Sequence, residues 1–235
     1  MDRFFDFWLS FSKNRAAVLG LAIVVLVVLV ALLAPVLYPE DPLSMVGRPL
    51  IAPFADARFP LGTDLLGRDM ASMLAHGARV SLVIAAVSVM IAMTIGIVIG
   101  AFAGYYGGLV DDILMRFTEI VQTMPAFLFA LAMVSIIGPS ISIVVLAIGV
   151  VAWPNLARLI RAEFLSLRER EFVQACRTIG MSDARIVFSE ILPNALPPAI
   201  VMAAVIIAFS ILLEAALAFL GVSDQNTASW GWMIG

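Results

Sequence analysis

The sequence predicts an all-α, polytopic membrane protein that crosses the bilayer five times. Hydrophobic residues make up 63% of the 235 residues and charged residues only 13%, proportions that lie far from those of soluble domains. A helix closes its own backbone hydrogen bonds in lipid and needs about 20 apolar residues to span it. Intervals without a formal charge reach that length at 16–39, 80–110, 120–157 and 191–213.

The interval 120–157 is too long for one span and is predicted to hold two. Its run IIGPSIS at 136–142 contains a Gly-Pro pair, which favours a turn. The first interval has an alternative interpretation as a cleaved signal peptide, because basic residues precede it and ALLA at 31–34 resembles a cleavage site. Its apolar core exceeds the about 7 to 15 residues usual for a signal peptide, so a first span is favoured.

Lysine and arginine are distributed unequally between the two predicted sides of the membrane. The N-terminus, the turn before the third span and the loop at 158–185 carry ten of them, and the opposite loops carry four. Cytoplasmic loops generally carry the excess. The N-terminus and the loop at 158–194 are therefore predicted to be cytoplasmic, with Trp230 and Trp232 in the opposite interfacial belt.

The predicted spans divide the chain into three parts. Residues 1–37 form the cytoplasmic N-terminus and the first span, and residues 38–79 form an extracytoplasmic loop. Residues 80–235 form the core, which includes the cytoplasmic loop at 158–194.

The extracytoplasmic loop is predicted to contain a short amphipathic helix that begins near Asp64. Thr63 or Asp64 is the expected N-cap, and Asp64 and Arg68 are expected to pair four residues apart. Gly77 is expected to end the helix. Its apolar stripe follows helical spacing through Leu66, Met70, Met73 and Leu74.

Two roles for this helix stay open from the sequence. It could lie on the membrane surface, or it could be a docking surface for a soluble extracytoplasmic partner, at Asp64, Arg68 and Asp69. A metal site is not expected near it, because His76 is the only histidine of the chain and Cys176 the only cysteine.

The segment EFVQACRTIGMSDARIVFSEILPN at 171–194 is a polar stretch between two apolar blocks. A helix is predicted up to Ile179, with Gly180 as a left-handed C-cap. A second short helix follows, capped by Ser182 or Asp183 and limited by Pro193. The apolar face of the first helix is predicted to consist of Leu165, Phe172, Ala175, Cys176 and Ile179.

A loop of this length is more than a connection between two spans requires, because most connections in compact proteins are short. Its helical pattern favours a surface for a protein partner. A solvated connector is the alternative.

The same segment resembles the coupling loop of permease subunits of ATP-binding cassette importers. The signature of that loop is Glu-Ala-Ala, three residues, Gly, nine residues, Ile, one residue and Leu-Pro. Gln174, Ala175 and Cys176 stand at the Glu-Ala-Ala positions and Gly180 at the glycine, whereas Glu190 replaces the isoleucine. The strict matches are Ala175, Gly180, Leu192 and Pro193.

Further runs are similar to the dipeptide, oligopeptide and nickel subfamily of these importers, and to the second of its two permease types. They cover nearly the whole chain: FPLGTDLLGRD at 59–69, GARVSL at 77–82, GYYGGLVDDILMR at 104–116, LARLIRAEFLSLREREFVQA at 156–175, and EAALAFLGV and SWGWMI near the end. Family members usually have a sixth span after the last run, so the resemblance implies an importer-type permease fold whose sixth span is missing from this sequence.

The resemblance also implies partners and a location. They are a second permease chain, two cytoplasmic ATPase chains that bind ATP and Mg²⁺, and an extracytoplasmic substrate-binding protein, all at a bacterial inner membrane. This chain itself is then a non-catalytic subunit without a bound cofactor, and Lys13, its only lysine, lies in no phosphate-binding loop. The residues implied to contact the ATPase are Glu171, Phe172, Gln174, Ala175, Cys176, Gly180, Leu192 and Pro193.

Glu214 is the only formal charge deep in a predicted span. Such a charge faces protein or water rather than lipid, so it anchors the partner permease or lines the passage; a snorkelling residue without a role is the third alternative. A stand-alone proton-linked carrier or an intramembrane enzyme is the alternative function, but the spans show neither the convergent catalytic groups nor the inverted repeats that these need. The sequence leaves open whether the cargo is a dipeptide, an oligopeptide or nickel.

Overall fold

The computed structural model describes residues 11–224 and 226–234. Within this part of the chain the secondary structure is helical, apart from three isolated β-bridges. The described residues up to Leu82 and 226–233 form one compact unit, and Val83–Asp224 with Ile234 form a second.

Helix α1, Arg15–Leu37, is the first predicted span. The side chain of Asn14 caps it by accepting hydrogen bonds from the backbone amides of Ala16 and Ala17, at 3.1 and 3.2 Å. Its side chains are apolar on all faces and most of them are exposed. A helix of that kind suits lipid on most of its surface.

The segment between α1 and the next helix is an ordered loop. The hydroxyl of Thr63 donates to the carbonyl of Arg48 and accepts from the amide of Ile51, at 2.5 and 2.9 Å. Isolated β-bridges join Met45 to Arg68, Asp56 to Phe59, and Thr63 to Asp69. These contacts fold the loop onto itself.

The amphipathic helix predicted from Asp64 to Gly77 is wrong in both of its bounds. Asp64 lies in a turn, where its carboxylate accepts from the backbone amides of Leu66 and Arg68. Gly67 has a φ of +79°, which a helix does not tolerate. Helix α2 begins at Met70 and runs through Gly77 to Tyr106.

Two physical details explain the actual bounds of α2. Asp69, rather than Thr63 or Asp64, caps its N-terminus by accepting from the amide of Ala71 at 2.9 Å. Gly77 lies inside the helix, where a Cβ atom would come within 3.1 Å of the Trp230 ring. This glycine therefore permits close packing and does not end the helix.

The second unit is built from the rest of α2 and the helices that follow it. These are α3 at Gly108–Gln122, α4 at Ala126–Ile137, α5 at Ile141–Arg168, α6 at Glu171–Thr178, the short α7 at Asp183–Arg185, a π-helical segment at Ile186–Ile191, and α8 at Leu192–Phe219.

The predicted turn between the third and fourth spans is confirmed. Helix α4 ends at Ile137, and Gly138 has a φ of +120°. The hydroxyl of Ser140 then caps α5 by accepting from the amide of Ile143.

Four helical segments are long and apolar enough to cross a membrane: Arg15–Leu37, Met70–Tyr106, Ile141–Arg168 and Asp183–Phe219. Helices α3 and α4 are bent by 76° relative to each other, and together they pass the same criteria as a fifth span. The predicted all-α membrane fold is confirmed.

Helices α2 and α5 pack in parallel at very short range. Gly96, Gly100 and Gly104 recur every four residues along α2, and a Cβ atom at each would collide with α5. Their neighbours on α5 advance in the same chain direction, from Leu156 at Gly96 to Phe164 at Gly104. Small residues at such spacing let two membrane helices approach closely.

This parallel packing explains why α3 and α4 must return the chain across the membrane. Two spans that run in the same direction need one crossing in the opposite direction between them. The bent pair α3–α4 is the only chain between Tyr106 and Ile141, so it supplies that crossing.

Replacing Gly100 by Ala tests the close α2–α5 contact. The added methyl group would collide with the carbonyl oxygen of Ala157, which is backbone and cannot rotate away. We expect the variant to lose about 1–3 kcal/mol of stability, which corresponds to a fall of at least about 2 °C in the melting temperature of the detergent-purified chain.

Gly20→Ala is the matched control, because a Cβ atom at Gly20 meets nothing within 4 Å. Alanine is also the better helix former, so this variant should melt at or above the wild-type temperature. Equal melting temperatures for the two variants would contradict the proposed role of the glycines.

Candidate functional site

The candidate site is the segment that joins α5 to α8, and its first helix differs from the prediction. A continuous helix from Glu163 to Ile179 was expected, but α5 ends at Arg168 and α6 starts at Glu171. Arg170 between them is extended, with φ −71° and ψ 147°. Leu165 therefore does not share a helical face with Phe172.

The turn before α6 is explained by the side chain that it buries. Val173 is fully buried, in one core cluster with Phe164 of α5 and with Ile186 and Ile191 of the π-helical segment. A continuous helix would have kept α6 in line with α5. The turn instead lays α6 against the apolar ends of its neighbours, which holds the helix in place.

Gly180 ends the first short helix as predicted. Its φ is +78°, and its amide donates to the carbonyl of Arg177 at 3.0 Å. The amide of Met181 donates to the carbonyl of Cys176, also at 3.0 Å. This pair of bonds is a Schellman motif, which requires a left-handed residue at the glycine position.

The predicted end of the second helix at Pro193 is wrong. The chain remains helical from Asp183 through the π-helical segment into α8, and Pro193 lies in the first turn of α8. The amide of Leu192 donates to the carbonyl of Val187, five residues earlier. Proline has no amide hydrogen to donate. The π-helical turn just before Pro193 contains one extra residue, and the helix continues past the proline.

The two predicted caps of the second helix do not act as caps through their side chains. Ser182 occupies the N-cap position but makes no side-chain capping bond, and its carbonyl accepts from the amide of Ile186. The carboxylate of Asp183 accepts instead from the hydroxyl of Tyr105 on α2, at 2.6 Å.

The C-terminal end of α2 is attached to the candidate site at three points. Besides the bond from Tyr105 to Asp183, Arg168 donates through Nη1 to the carbonyls of Gly104 and Tyr105 at 3.0 and 3.3 Å. A cation near the last carbonyls of a helix is favourable. The guanidinium of Arg177 lies 5.5 Å from the centre of the Tyr105 ring.

The outer face of the site remains exposed and apolar. Ile179 is 76% exposed and Phe188 64% exposed, and Phe172 and Ala175 also face outward. Phe188 borders an apolar pocket with Phe102 and Tyr106 of α2, whereas Phe172, Ala175 and Ile179 belong to α6 and its C-cap. Large apolar side chains that are exposed outside the predicted spans are typical of a protein contact surface.

The remaining predicted coupling-loop residues have mixed positions. Glu171 is exposed in the first turn of α6, Cys176 and Leu192 are half-buried against the core cluster, and Pro193 is exposed. Gln174 is exposed, and its amide nitrogen donates to the carbonyl of Arg168 at 3.2 Å.

Glu214 is enclosed by its own chain. Its side chain is 1% exposed, in α8 of the second unit. The two roles predicted from the sequence, an anchor for the partner permease and a wall of the passage, both involve a second permease chain and stay predictions.

The three candidate residues of the loop before α2 are half-buried and serve their own loop. Asp64 holds backbone amides and Asp69 caps α2. The guanidinium of Arg68 lies 5.1 Å from the centre of the Trp232 ring. The predicted ion pair between Asp64 and Arg68 is not among the ion pairs of the described residues.

Asp69 also borders a cavity of about 540 Å³ with Tyr38, Glu40 and Asp41. Burial, with a smaller contribution from the charge of Asp69, raises the pKa of the Tyr38 hydroxyl. His76 does not face this cavity, and its Nε2 atom lies 2.9 Å from the carbonyl oxygen of Tyr38. That contact gives the histidine a structural partner.

Sequence reasoning missed the inward anchor Val173 and the contacts of Tyr105 and Arg168. Val173 and Cys176 are spaced three residues apart, which marks a second apolar face of α6, but the expected single helix concealed it. The glycines at 96, 100 and 104 carry the signal for the α2–α5 contact. Without that contact, the sequence does not bring Tyr105 to Asp183.

Two known families match separate parts of the chain, which together make up most of it. Residues 96–233 match the family described as "Binding-protein-dependent transport system inner membrane component". Residues 3–66 match the "N-terminal TM domain of oligopeptide transport permease C".

Similar proteins extend over nearly all of this sequence. The di/tripeptide transport system permease protein of Pseudomonas aeruginosa (strain UCBPP-PA14) is 40% identical over 235 residues, covering 97% of this chain and 78% of that protein. The dipeptide transport system permease protein of Alkalihalophilus pseudofirmus is 40% identical over 228 residues, covering 95% and 73%.

Among solved structures, an inward-facing form of the MetNI methionine ABC transporter has the same fold. The TM-score is 0.56 at 19% sequence identity, over 68% of this chain and 77% of that one. One assignment follows from the two family matches, from the relatives of 40% identity and from this fold. The chain belongs to the inner membrane components of binding-protein-dependent transport systems, as a multi-pass permease subunit of an ATP-binding cassette importer.

Proposed function

We propose that this chain forms one half of the translocation pathway of a peptide importer and that its 158–194 segment receives the force of ATP hydrolysis from a partner chain. The cargo assignment is supported by the relatives named for di- and tripeptide transport. In this arrangement the N-terminus and the 158–194 segment face the cytoplasm, as the distribution of lysine and arginine favours.

The proposed partners follow from what this chain provides and what it needs. A second permease chain completes the pathway, and two cytoplasmic ATPase chains bind ATP and Mg²⁺. An extracytoplasmic protein delivers the cargo. This chain contributes no step of hydrolysis and acts as the mechanical element.

The observation that carries the proposal is the two-sided construction of α6. Val173 on one side is fully buried in the core. Phe172, Ala175 and Ile179 on the other side are exposed. A helix fixed on one side and apolar on the other is suited to fill a groove of a partner, with its charged residues setting the register.

The contacts of the loop explain how a pull on α6 would reach the pathway. Val173 ties α6 to the end of α5, and the Tyr105–Asp183 bond and Arg168 tie the loop to the end of α2. The loop also continues without a break into α8. Closure of the ATPase pair would then tilt these helices together, as a rigid-body switch.

Reconstitution tests this function. The permease is co-expressed with its neighbouring permease, ATPase and binding-protein chains, and the purified complex is placed in liposomes containing ATP at the ATPase face. We expect ATP-dependent uptake of radiolabelled peptides of two to five residues. Uptake that proceeds without the ATPase chains, or that a proton gradient alone drives, would contradict the proposal in favour of a stand-alone carrier.

Gly180→Val is expected to uncouple ATP hydrolysis from uptake in that complex. A β-branched residue at a φ of +78° is strained by more than about 1 kcal/mol, so the Schellman turn would open and α6 would lose its orientation. We expect ATPase activity to persist while peptide uptake falls at least about tenfold.

Two control variants accompany Gly180→Val. Gly180→Asn should retain most of the uptake, because asparagine tolerates the left-handed region. Thr178→Val adds a valine in the last turn of α6 at a right-handed position, and its uptake should also stay near wild type. Uptake by Gly180→Val equal to that of Gly180→Asn would show that the bend is not required.

Ala175→Glu is expected to weaken binding of the ATPase chains. The new carboxylate would be desolvated without a partner in the proposed groove, and the cost of such burial corresponds to a loss of at least about tenfold in affinity. Recovery of ATPase in a pull-down with the permease measures the effect, and Ala175→Ser is the control for side-chain size. Full recovery with glutamate would show that this face points into solvent.

A further inference from the structure

A stripe of charged residues runs along one face of α3. Asp112, Arg116 and Glu119 are exposed and are spaced four and three residues apart, so they lie above one another on the helix. Gln122 continues the same face by one further turn. The adjacent face is apolar instead, since Ile113 and Ile120 are 65% and 66% exposed.

Helix α5 supplies a second wall opposite this stripe. Asn155 accepts hydrogen bonds through Oδ1 from Gln122 at 3.1 Å and from Arg158 at 3.0 Å. One turn further along, Arg161 holds both carboxylate oxygens of Asp111, at 2.5 and 2.6 Å. These bonds fix the two helices side by side along the polar stripe.

A recess of about 410 Å³ lies between the two walls. Its lining consists of Asp112, Met115, Arg116, Glu119, Arg158 and Arg161. This volume lies within the range of about 300–1,000 Å³ that is usual for small-molecule sites. Arg116 and Glu119 are not among the ion pairs that the described residues form.

The exposed charges of the recess need water or a polar partner. Arg116, Arg158 and Arg161 belong to the stretches whose excess of basic residues favours the cytoplasmic side, so the recess lies toward the cytoplasmic ends of α3 and α5, where water reaches it. Ile113 and Ile120, each one residue beyond a charged residue of the stripe, are apolar and favour lipid or protein over water. Helix α3 therefore presents one face to water and the other to an apolar environment.

We propose that this mixed-charge recess is the part of this permease's pathway wall that contacts a zwitterionic cargo. The inference rests on the proposed import of peptides and adds the residues and the chemistry of contact. Arg116 and Arg158 present guanidinium groups that match a carboxylate. Asp112 and Glu119 present carboxylates for an ammonium group. A peptide with free termini carries both charges.

The shape of the recess favours a cargo over a direct contact with the second permease. A protein interface would fill a space of this volume with side chains of the partner, and its charged groups would be paired at the cost of desolvation. Both signs of charge line one open recess here, so each can remain hydrated when no cargo is present.

Accessibility of substituted cysteines tests this proposal in the reconstituted complex. Glu119→Cys and Ile120→Cys place a thiol at the same height on the charged and on the apolar face of α3. Each complex is treated with a negatively charged, membrane-impermeant methanethiosulfonate reagent. Peptide mass spectrometry quantifies modification of α3 itself, so that Cys176 and cysteines of partner chains do not contribute.

We expect the thiol introduced by Glu119→Cys to be modified at least about tenfold faster than the thiol introduced by Ile120→Cys. The peptide that the wild-type complex imports fastest, supplied with the binding protein and ATP, should slow the modification of position 119 and leave position 120 unchanged. In the uptake assay, Arg158→Gln should reduce import of that peptide more than import of its C-terminally amidated form.

Three results would overturn the proposal. Equal modification of both positions would show that the charged face of α3 is no more accessible to water than the apolar face. Fast modification at position 119 without protection by the peptide would show that cargo does not contact it. Cross-linking of position 119 to the second permease, with no modification, would assign the stripe to that interface. In each case wild-type uptake remains a separate measurement, so failure of this inference is distinguishable from failure of the import function.

Discussion

The close contact between α2 and α5 is the constraint on which the second unit depends. Membrane helices gain little from burying apolar side chains against each other, because lipid is equally apolar, so close packing and polar contacts decide which helices associate. Gly96, Gly100 and Gly104 allow α5 to approach the backbone of α2 over two helical turns. Leu156, Ile160 and Phe164 of α5 fill that side of the core and are fully buried. The parallel direction of the two helices in turn requires the bent α3–α4 crossing.

The contact also determines what surrounds the 158–194 segment. Because α2 and α5 end on the same side, the last residues of α2 lie beside the turn that follows α5. Arg168 can then reach the carbonyls of Gly104 and Tyr105, and the Tyr105 hydroxyl can reach Asp183. The buried Val173 adds an apolar anchor. The segment is held on its inner side by polar and apolar contacts, which leaves only its outer face available for a partner.

Local features of the fold were predictable from the sequence, and features set by tertiary contacts were not. Uncharged stretches indicate spans, and the left-handed bends at Gly138 and Gly180 follow from glycine itself, so these predictions are confirmed. The break between α5 and α6 accompanies the burial of Val173 in one cluster with Ile186 and Ile191, and Gly77 within α2 lies against Trp230. These contacting residues are distant in sequence.

In the candidate site, too, local features were predictable from the sequence and features set by tertiary contacts were not. The end of α6 and its C-cap were predictable because their signals lie within ten residues of each other, whereas the start of α6 was not. The continuation past Pro193 was missed because a π-helical turn has no simple residue signature. The enclosure of Glu214 was missed because charge and position in a span do not tell which helices surround a side chain. A charge in a span indicates a need for polar surroundings, and its own chain supplies the enclosure here.

The central claim is that the 158–194 segment and the end of α2 move as one body, and a double-mutant cycle across the Tyr105–Asp183 bond tests it most directly. Tyr105→Phe, Asp183→Asn and the double variant are compared in the reconstituted complex by the number of peptides imported per ATP hydrolysed. If force passes through this bond, either single variant breaks the same link, and the double variant should perform no worse than the poorer single one. Losses that multiply in the double variant would show that the two residues act independently and would contradict the account.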